Sequence, residues 1–351
     1  NTELNDVWTF DPTTYTWVSV ESYAPPGPRS YHQLWSSGDA LALIGGMSGG
    51  ALATSAWIGH LPIATWAPVS LQATPPARRD AKLFSADIDT LLLVGGTGLA
   101  GEQLTDVWQA TVTSNETLWK SLSQELPILP GSAVTFATEE SQLLIHGGVG
   151  GDGADEATLW SWSPMSGASI ASTNLPVASQ HALAWDGTNT RLLGYHAGLL
   201  WRWDKAEDSF GALPTTGEEP GNVVGHTLHL DGATQTLYLL STQADGIWAL
   251  SLETGAWVKL ASALGLVGGE PSWVVGGQLV LGTSVGLVQY GVGAQFNQPL
   301  SVSNTVLLNA HSAPAYHPAL GRLFALGGVI EISGQAVLQT GGCTLAYTCP
   351  E

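Results

Sequence analysis

The chain has 351 residues and a formal net charge of −19, with 29 Asp and Glu against 10 Lys and Arg. That charge disfavours nucleic acid and anionic membrane surfaces as partners, since both would be repelled. An apolar fraction of 44% excludes general disorder, and no unbroken apolar run reaches membrane-spanning length, so direct membrane insertion is not expected. No signal-peptide pattern opens the sequence, and Asn1 reads as a processed or trimmed end.

In chain order, the first phrase is NDVWTFDPTTYTW at 5–17: a short apolar strand with Trp8, a polar turn, and a second aromatic, Trp17. A lead-in segment follows, GPRSYH at 27–32, and then a wholly apolar run ending in small residues, ALALIGG at 40–46. All three phrases return. The apolar run recurs as LLLVGG (91–96), LLIHGG (143–148), RLLGY (191–195), LYLLST (237–242), LVLGT (279–283) and RLFALGG (322–328), seven runs in all. A run of this length that is apolar on both faces reads as a strand buried on both sides. The Trp phrase recurs at SAW (55–57), DVW (106–108), TLW (158–160), LLW (199–201) and GIW (246–248). Trp57 and Trp66, Trp201 and Phe210, and Trp248 and Trp257 repeat the nine-residue spacing of Trp8 and Trp17. The lead-in recurs at PARRDA (76–81), at SQH (179–181) and in the segments ending in His226 and His311. No segment has a convincing helical period. Four short strands per repeat of this length are the signature of a β-propeller blade.

With the double glycines Gly45-Gly46, Gly95-Gly96, Gly147-Gly148 and Gly327-Gly328, and the spaced aromatics at Phe10 and Trp17, the chain resembles the kelch family of β-propellers. The resemblance is sharpest in the first three repeats and the last; repeats four to six have lost the double glycine. It implies an all-β, seven-bladed propeller of four-stranded blades. The ring is expected to close by pairing of N-terminal strands 4–20 with the last inner strands 311–328, with AVLQT (336–340) as the competing closing strand. The expected domains are one propeller over 1–328 and a tail over 329–351.

Histidines His32, His181, His226 and His311 recur at one repeat position, which favours a structural role over catalysis. Galactose oxidase belongs to the wider kelch-like group, but its Cys–Tyr crosslink cannot form here because the propeller region holds no cysteine. GTSVG (282–286) matches a nucleophile-elbow pattern literally, yet it replaces a glycine turn between strands rather than joining a strand to a helix. Asp152, Asp155 and Glu156 share one loop and form a candidate calcium site, against the plainer reading of a solvated acidic loop; no other cofactor is expected. Cys343 and Cys349 form either a local disulfide, implying an oxidising compartment, or two unpaired thiols at the chain's end. Asn115 in NET is a glycosylation sequon.

Arginine is scarce, yet Arg29, Arg78 and Arg79 fall in two consecutive lead-ins. In related kelch adaptor domains this segment lies near the channel mouth, where arginine holds acidic peptides. The alternative is that these guanidinium groups fix blade geometry through hydrogen bonds. Three long connections, 47–56, 97–106 and 149–158, follow the glycine turns of the first three repeats, whereas the next three connections are about half as long. Long surface loops are where binding concentrates. Met47, Leu52, Leu99, Glu102 and Asp152 are therefore candidate partner contacts. The expectation is a non-enzymatic recognition or assembly module, extracellular, cell-surface or periplasmic, that binds a protein or glycan through one rim as part of a larger assembly. The alternative is a carbohydrate- or anion-acting enzyme, similar in fold to kelch-type epimerases, with Arg29 and Arg79 holding the anion. An intracellular adaptor ranks third.

Overall fold

A computed structural model describes residues 2–11, 16–37, 40–61, 64–69, 75–87, 90–112, 117–123, 125–244, 246–262, 272–275, 278–283, 286–290, 297–299, 313–317 and 322–330. The chain is all-β. Among the described residues the only helical element is a 3₁₀ turn at Thr138–Glu140. The described strands form seven sheets of four or five strands, plus a small hairpin of Met47–Ser48 with Ala51–Leu52. This architecture is consistent with a kelch β-propeller.

Each of the first six sheets is built on a four-stranded antiparallel meander. The second sheet is typical, with Lys82–Asp87, Thr90–Thr97, Gln103–Val112 and Thr117–Ser123 paired antiparallel in sequence order. The seventh unites the chain's two ends: Thr16–Ser19 and Thr2–Asp11 pair on from Arg322–Ile330 and Ala313–His317. The segment 336–340, the competing partner, lies outside the described residues, as does His311. The first and fifth sheets depart from the expected four strands. Ser22–Tyr23 adds in parallel to Ala64–Pro68, and Thr216–Gly217 adds in parallel to Ala256–Ser262. In both places the chain leaving one sheet's outer strand runs extended past the next sheet's open edge, and two residues satisfy its backbone groups there.

The apolar second strands explain why the sheets stack. Leu91 and Leu93 pack with Ala40, Ala42 and Ile44 of the first sheet, while Leu92 and Val94 pack with Leu143 and Ile145 of the third. Leu144 turns to Leu192 and Trp201 of the fourth sheet, and Leu237 and Leu239 meet Leu193 and Tyr195. Alternate side chains of one strand thus enter two different cores, as the two-residue period of a strand requires. Most described Trp residues of the recurring phrase complete these cores: Trp8, Trp66, Trp108, Trp201, Trp248 and Trp257 are all buried. Phe210, the partner of Trp201, is 37% exposed on the outer strand Ser209–Ala212, which lacks the added parallel strand that lies beside Trp66 and Trp257.

The lead-ins carry a shared backbone feature that composition alone does not show. Tyr31, Asp80, Gln180 and Gly225 occupy the same place in four of them, Gly131 occupies it in the segment before the third sheet, and all have positive φ, between 51° and 78°. For a residue with a Cβ that conformation costs about 1–2 kcal/mol. Hydrogen bonding between sheets offsets it: Gln180 N–H donates to the Gly131 carbonyl at 2.8 Å, and the Gln180 carbonyl accepts from Gly225 N–H at 2.7 Å.

The double glycines are needed where the chain turns against such a lead-in. Gly46 has φ +90°, and a Cβ there would lie 2.5 Å from the Ser30 carbonyl oxygen. At Gly49, in the tip of the small hairpin, φ is +59°, but an added Cβ would meet nothing within 4 Å. In urea denaturation, Gly49→Ala is expected to lose about 1 kcal/mol and Gly46→Ala roughly 2 kcal/mol or more, because backbone must also move. Equal losses would contradict this account.

Candidate functional site

In every sheet the second strand ends where the first begins, as in Gln33 opposite Ile44 and Ala133 opposite His146. The lead-ins and the second-to-third-strand loops therefore share one end of the sheets. The three long loops stand there as hairpins rather than irregular excursions. Met47 N–H and C=O exchange hydrogen bonds with Ser30, and Thr97 does the same with Arg79. In the third loop Val149 N–H donates to the Pro130 carbonyl. The three bases are also linked to one another. Gly46 N–H donates to the Arg78 carbonyl, next to the Arg79–Thr97 pair, and Leu126 N–H donates to the Thr105 carbonyl on the way to Pro130.

Of the candidate contacts, Leu99 is 74% exposed at the tip of the second hairpin. Glu102 is exposed and folds back, its carboxylate accepting from Ala100 N–H at 2.7 Å. Met47 and Leu52 are half-buried cross-strand partners in the small hairpin. Asp152 is exposed, and its Oδ1 accepts from Ala154 N–H at 3.0 Å. Asp155 pairs by backbone with Val149, and Glu156 N–H donates to the Gly148 carbonyl. Among the described residues no three His, Cys, Asp or Glu side chains are grouped so as to hold a metal ion. Cys343, Cys349 and Asn115 lie outside the described residues.

The arginines divide differently from the expectation that all three line a mouth. Arg29 and Arg78 are buried, at 3% and 2% exposure, and only Arg79 presents its side chain to solvent. Arg78 makes a bidentate pair with Asp106, Nη1 to Oδ1 at 2.6 Å and Nη2 to Oδ2 at 2.7 Å, and also donates to the Gly95 carbonyl at 2.8 Å. Asp106 in turn accepts from the Trp108 indole N–H at 2.6 Å. Arg29 repeats the arrangement one sheet earlier, reaching the Gly45 carbonyl and Ser55 Oγ. Gly45 and Ser55, like Gly95 and Asp106, are the two roots of a long loop. The guanidinium fork clasps those roots together. Sequence reading offered hydrogen bonding as an alternative role but could not name the partners, because Ser55 and Asp106 sit 26 and 28 residues away from their arginines. The shared Asp and Trp of DVW was the available signal.

The recurrent histidines are core groups. His32, His181 and His226 are buried, and His146 joins them with no exposure. His146 Nδ1 and His181 Nε2 lie 2.8 Å apart, which requires one ring to donate and the other to accept. The His181 and His196 rings meet edge-on at 6.0 Å, and His226 meets Tyr195 at 5.5 Å. Burial, the largest cause, pushes the His146 and His226 pKa values down to about 4 and that of His181 to about 3. The neighbouring imidazoles add to the effect.

These contacts lead to two expected outcomes. Arg78→Met leaves the Asp106 carboxylate buried without its partner and should lose roughly 3–5 kcal/mol. Arg79→Ala, at an exposed ion pair with Asp80, should change stability by less than about 0.5 kcal/mol. Chemical denaturation of both variants checks this. For the histidines, the folded-state pKa lies below the unfolded value of 6.5, so only the unfolded chain takes up protons between pH 6.5 and about 4. Stability is then full above pH 6.5 and falls through that window, by about 1.4 kcal/mol per pH unit for each histidine. His181→Gln should flatten the fall in a series of melts from pH 7 to 4, and an unchanged slope would refute the assignment.

Comparison with known proteins accords with the repeat pattern. Residues 1–162 match the family described as the KLHDC2/KLHL20/DRC7 Kelch-repeats domain. An F-box/kelch-repeat protein of Arabidopsis thaliana is 30% identical over 152 residues, covering 40% of this chain. The matched part spans 31% of that protein's length. Over residues 1–162, where the double glycines and Trp phrases are regular, the chain is thus similar to kelch-repeat proteins.

Proposed function

We propose that the chain is a non-enzymatic recognition and assembly module that binds a protein partner through the loops 47–56, 97–106 and 149–158. Kelch repeats commonly mediate protein–protein interaction, and the match at 1–162 covers all three loops. The observation that carries the reading is the investment in holding these loops: three projecting hairpins, two of them rooted by buried arginine clasps, with Leu99 presented at a tip. The corresponding fourth-sheet connection is only the turn Ala197–Gly198 between Arg191–His196 and Leu199–Asp204. A scaffold needs no more than that turn.

The same proposal takes the seven sheets as blades of one closed ring over 1–328, with 329–351 as a tail. It rests on the pairing of the chain's ends and on cores that link each described sheet to the next from the seventh through the sixth. It also places the protein in an extracellular, cell-surface or periplasmic compartment, with Cys343 and Cys349 paired. Of the two arginines that an anion-handling enzyme would use, Arg29 is buried and committed to the Gly45 carbonyl, which counts against that reading.

Native mass spectrometry of the protein gently isolated with its cysteines intact is expected to show a stoichiometric protein partner and an oxidised cysteine pair. Alanine replacement of Leu52, Leu99, Glu102 and Asp152 should abolish that complex while leaving the melting temperature nearly unchanged. Binding that survives the replacement refutes the loop assignment, and two free thiols refute the compartment.

A further inference from the structure

The innermost strands of the third to sixth sheets, Ala133–Ala137, Ala182–Asp186, Thr227–Asp231 and Ser272–Val275, line an open cavity of about 550 Å³. We propose that this cavity is a binding site for a neutral polyhydroxylated molecule the size of a mono- or disaccharide. Its volume lies within the range of small-ligand sites, about 300–1,000 Å³. It is lined at the first-to-second-strand turns, through Thr138, Gly187, Thr188 and Gly232. Those turns stand at the opposite end of the sheets from the three long loops, so the site is independent of the partner surface.

Two side-chain bridges tie adjacent sheets together in its wall. The Trp185 indole N–H of the fourth sheet donates to Glu139 Oε2, beside the third, at 2.8 Å. His229 Nε2 of the fifth sheet and Ser272 Oγ of the sixth lie 2.9 Å apart. Gly187 makes the first bridge possible, because a Cβ there would fall 2.1 Å from Glu139 Oε1. The polar groups are thus held in place before any ligand arrives, which lowers the ordering cost of binding.

The chemistry of the lining selects the ligand. Glu139 is the only Asp, Glu, Lys or Arg among the described lining residues, and its carboxylate repels an anion. His229 is kept neutral, its pKa pushed down to about 4 by burial first and by the charge of Lys82 second. A neutral imidazole supplies a hydrogen-bond donor or acceptor but no counter-charge. The remaining polar groups are mostly hydroxyls, those of Thr135, Thr138, Thr188 and Ser272, each able to donate or accept. Phe136 and Trp185 contribute aromatic carbon surface to the same wall. A lone carboxylate already engaged by an indole is a poor trap for a cation. Hydroxyl groups on a C–H framework satisfy the acceptor, the donors and the aromatic surface together.

The test is isothermal titration of the full chain with maltose, lactose and cellobiose, and with glucosamine and glucose 6-phosphate as charged counterparts. At least one neutral disaccharide is expected to bind saturably, with a Kd in the millimolar range or tighter, and more tightly than either charged sugar. Glu139→Gln and His229→Gln should weaken it at least tenfold. Thr188→Val, at an exposed turn outside every core, should weaken it severalfold and serves if the others fail to fold. Protein with the three long loops substituted should bind as before, which separates failure of this site from failure of the partner surface. Absence of saturable binding by all three disaccharides, tighter binding of a charged sugar, or undiminished binding in the folded variants overturns the proposal.

Discussion

Everything in this protein follows from a short strand that is apolar on both faces. Thr90–Thr97 places Leu91 and Leu93 in one core and Leu92 and Val94 in another. Each such side chain gains roughly 2 kcal/mol when withdrawn from water, and exposing either face would forfeit half of the set. A single sheet of this kind cannot be stable alone, so it must lie between two others. Repetition of the strand along the chain therefore dictates a stack of sheets, each completing its neighbours. The pairing of Thr2–Asp11 with Arg322–Ile330 gives the terminal strands the same kind of partner.

Stacking fixes the middle of each sheet and leaves its ends to do different work. At one end, glycines and left-handed lead-in residues bring backbone from successive sheets into hydrogen-bonding distance, as at Gly131, Gln180 and Gly225. The loops that spring from this end differ greatly in length because nothing in the cores depends on them. The turns at the other end, and the inner strands above them, enclose polar groups that the cores do not need. One framework thus carries two chemically distinct surfaces, with the sheets keeping them apart.

Several of the buried polar groups among the described residues belong to junctions. In a chain with only 10 basic residues, two arginines are committed inside the fold, each tying a glycine carbonyl to the far root of a loop. Imidazoles take a similar place between the third, fourth and fifth sheets, where an edge-on ring and a single hydrogen bond suffice without a counter-ion. Arginine suits the position that must span two strands and meet a carboxylate. Histidine suits the position that must be compact and uncharged.

Much of the fold was legible in the residues themselves. The doubly apolar runs, the glycine pairs and the nine-residue aromatic spacing state which strands are buried and where the chain turns, because local sterics and side-chain alternation settle those points. Loop lengths likewise marked 47–56, 97–106 and 149–158 as unusual. The site residues were less legible, and the reason is distance along the chain. That Arg78 meets Asp106, His146 meets His181, and Trp185 reaches Glu139 depends on how one sheet is seated on the next. An arginine in a lead-in reads equally well as a ligand-binding group or a buried clasp until its carboxylate is located. The amino-acid sequence by itself determined that this chain is a repeating all-β structure with three long loops. The tertiary structure alone decided which polar side chains are sealed inside and which face a cavity, because burial and hydrogen-bond partnership are properties of the stacked sheets and not of any one repeat.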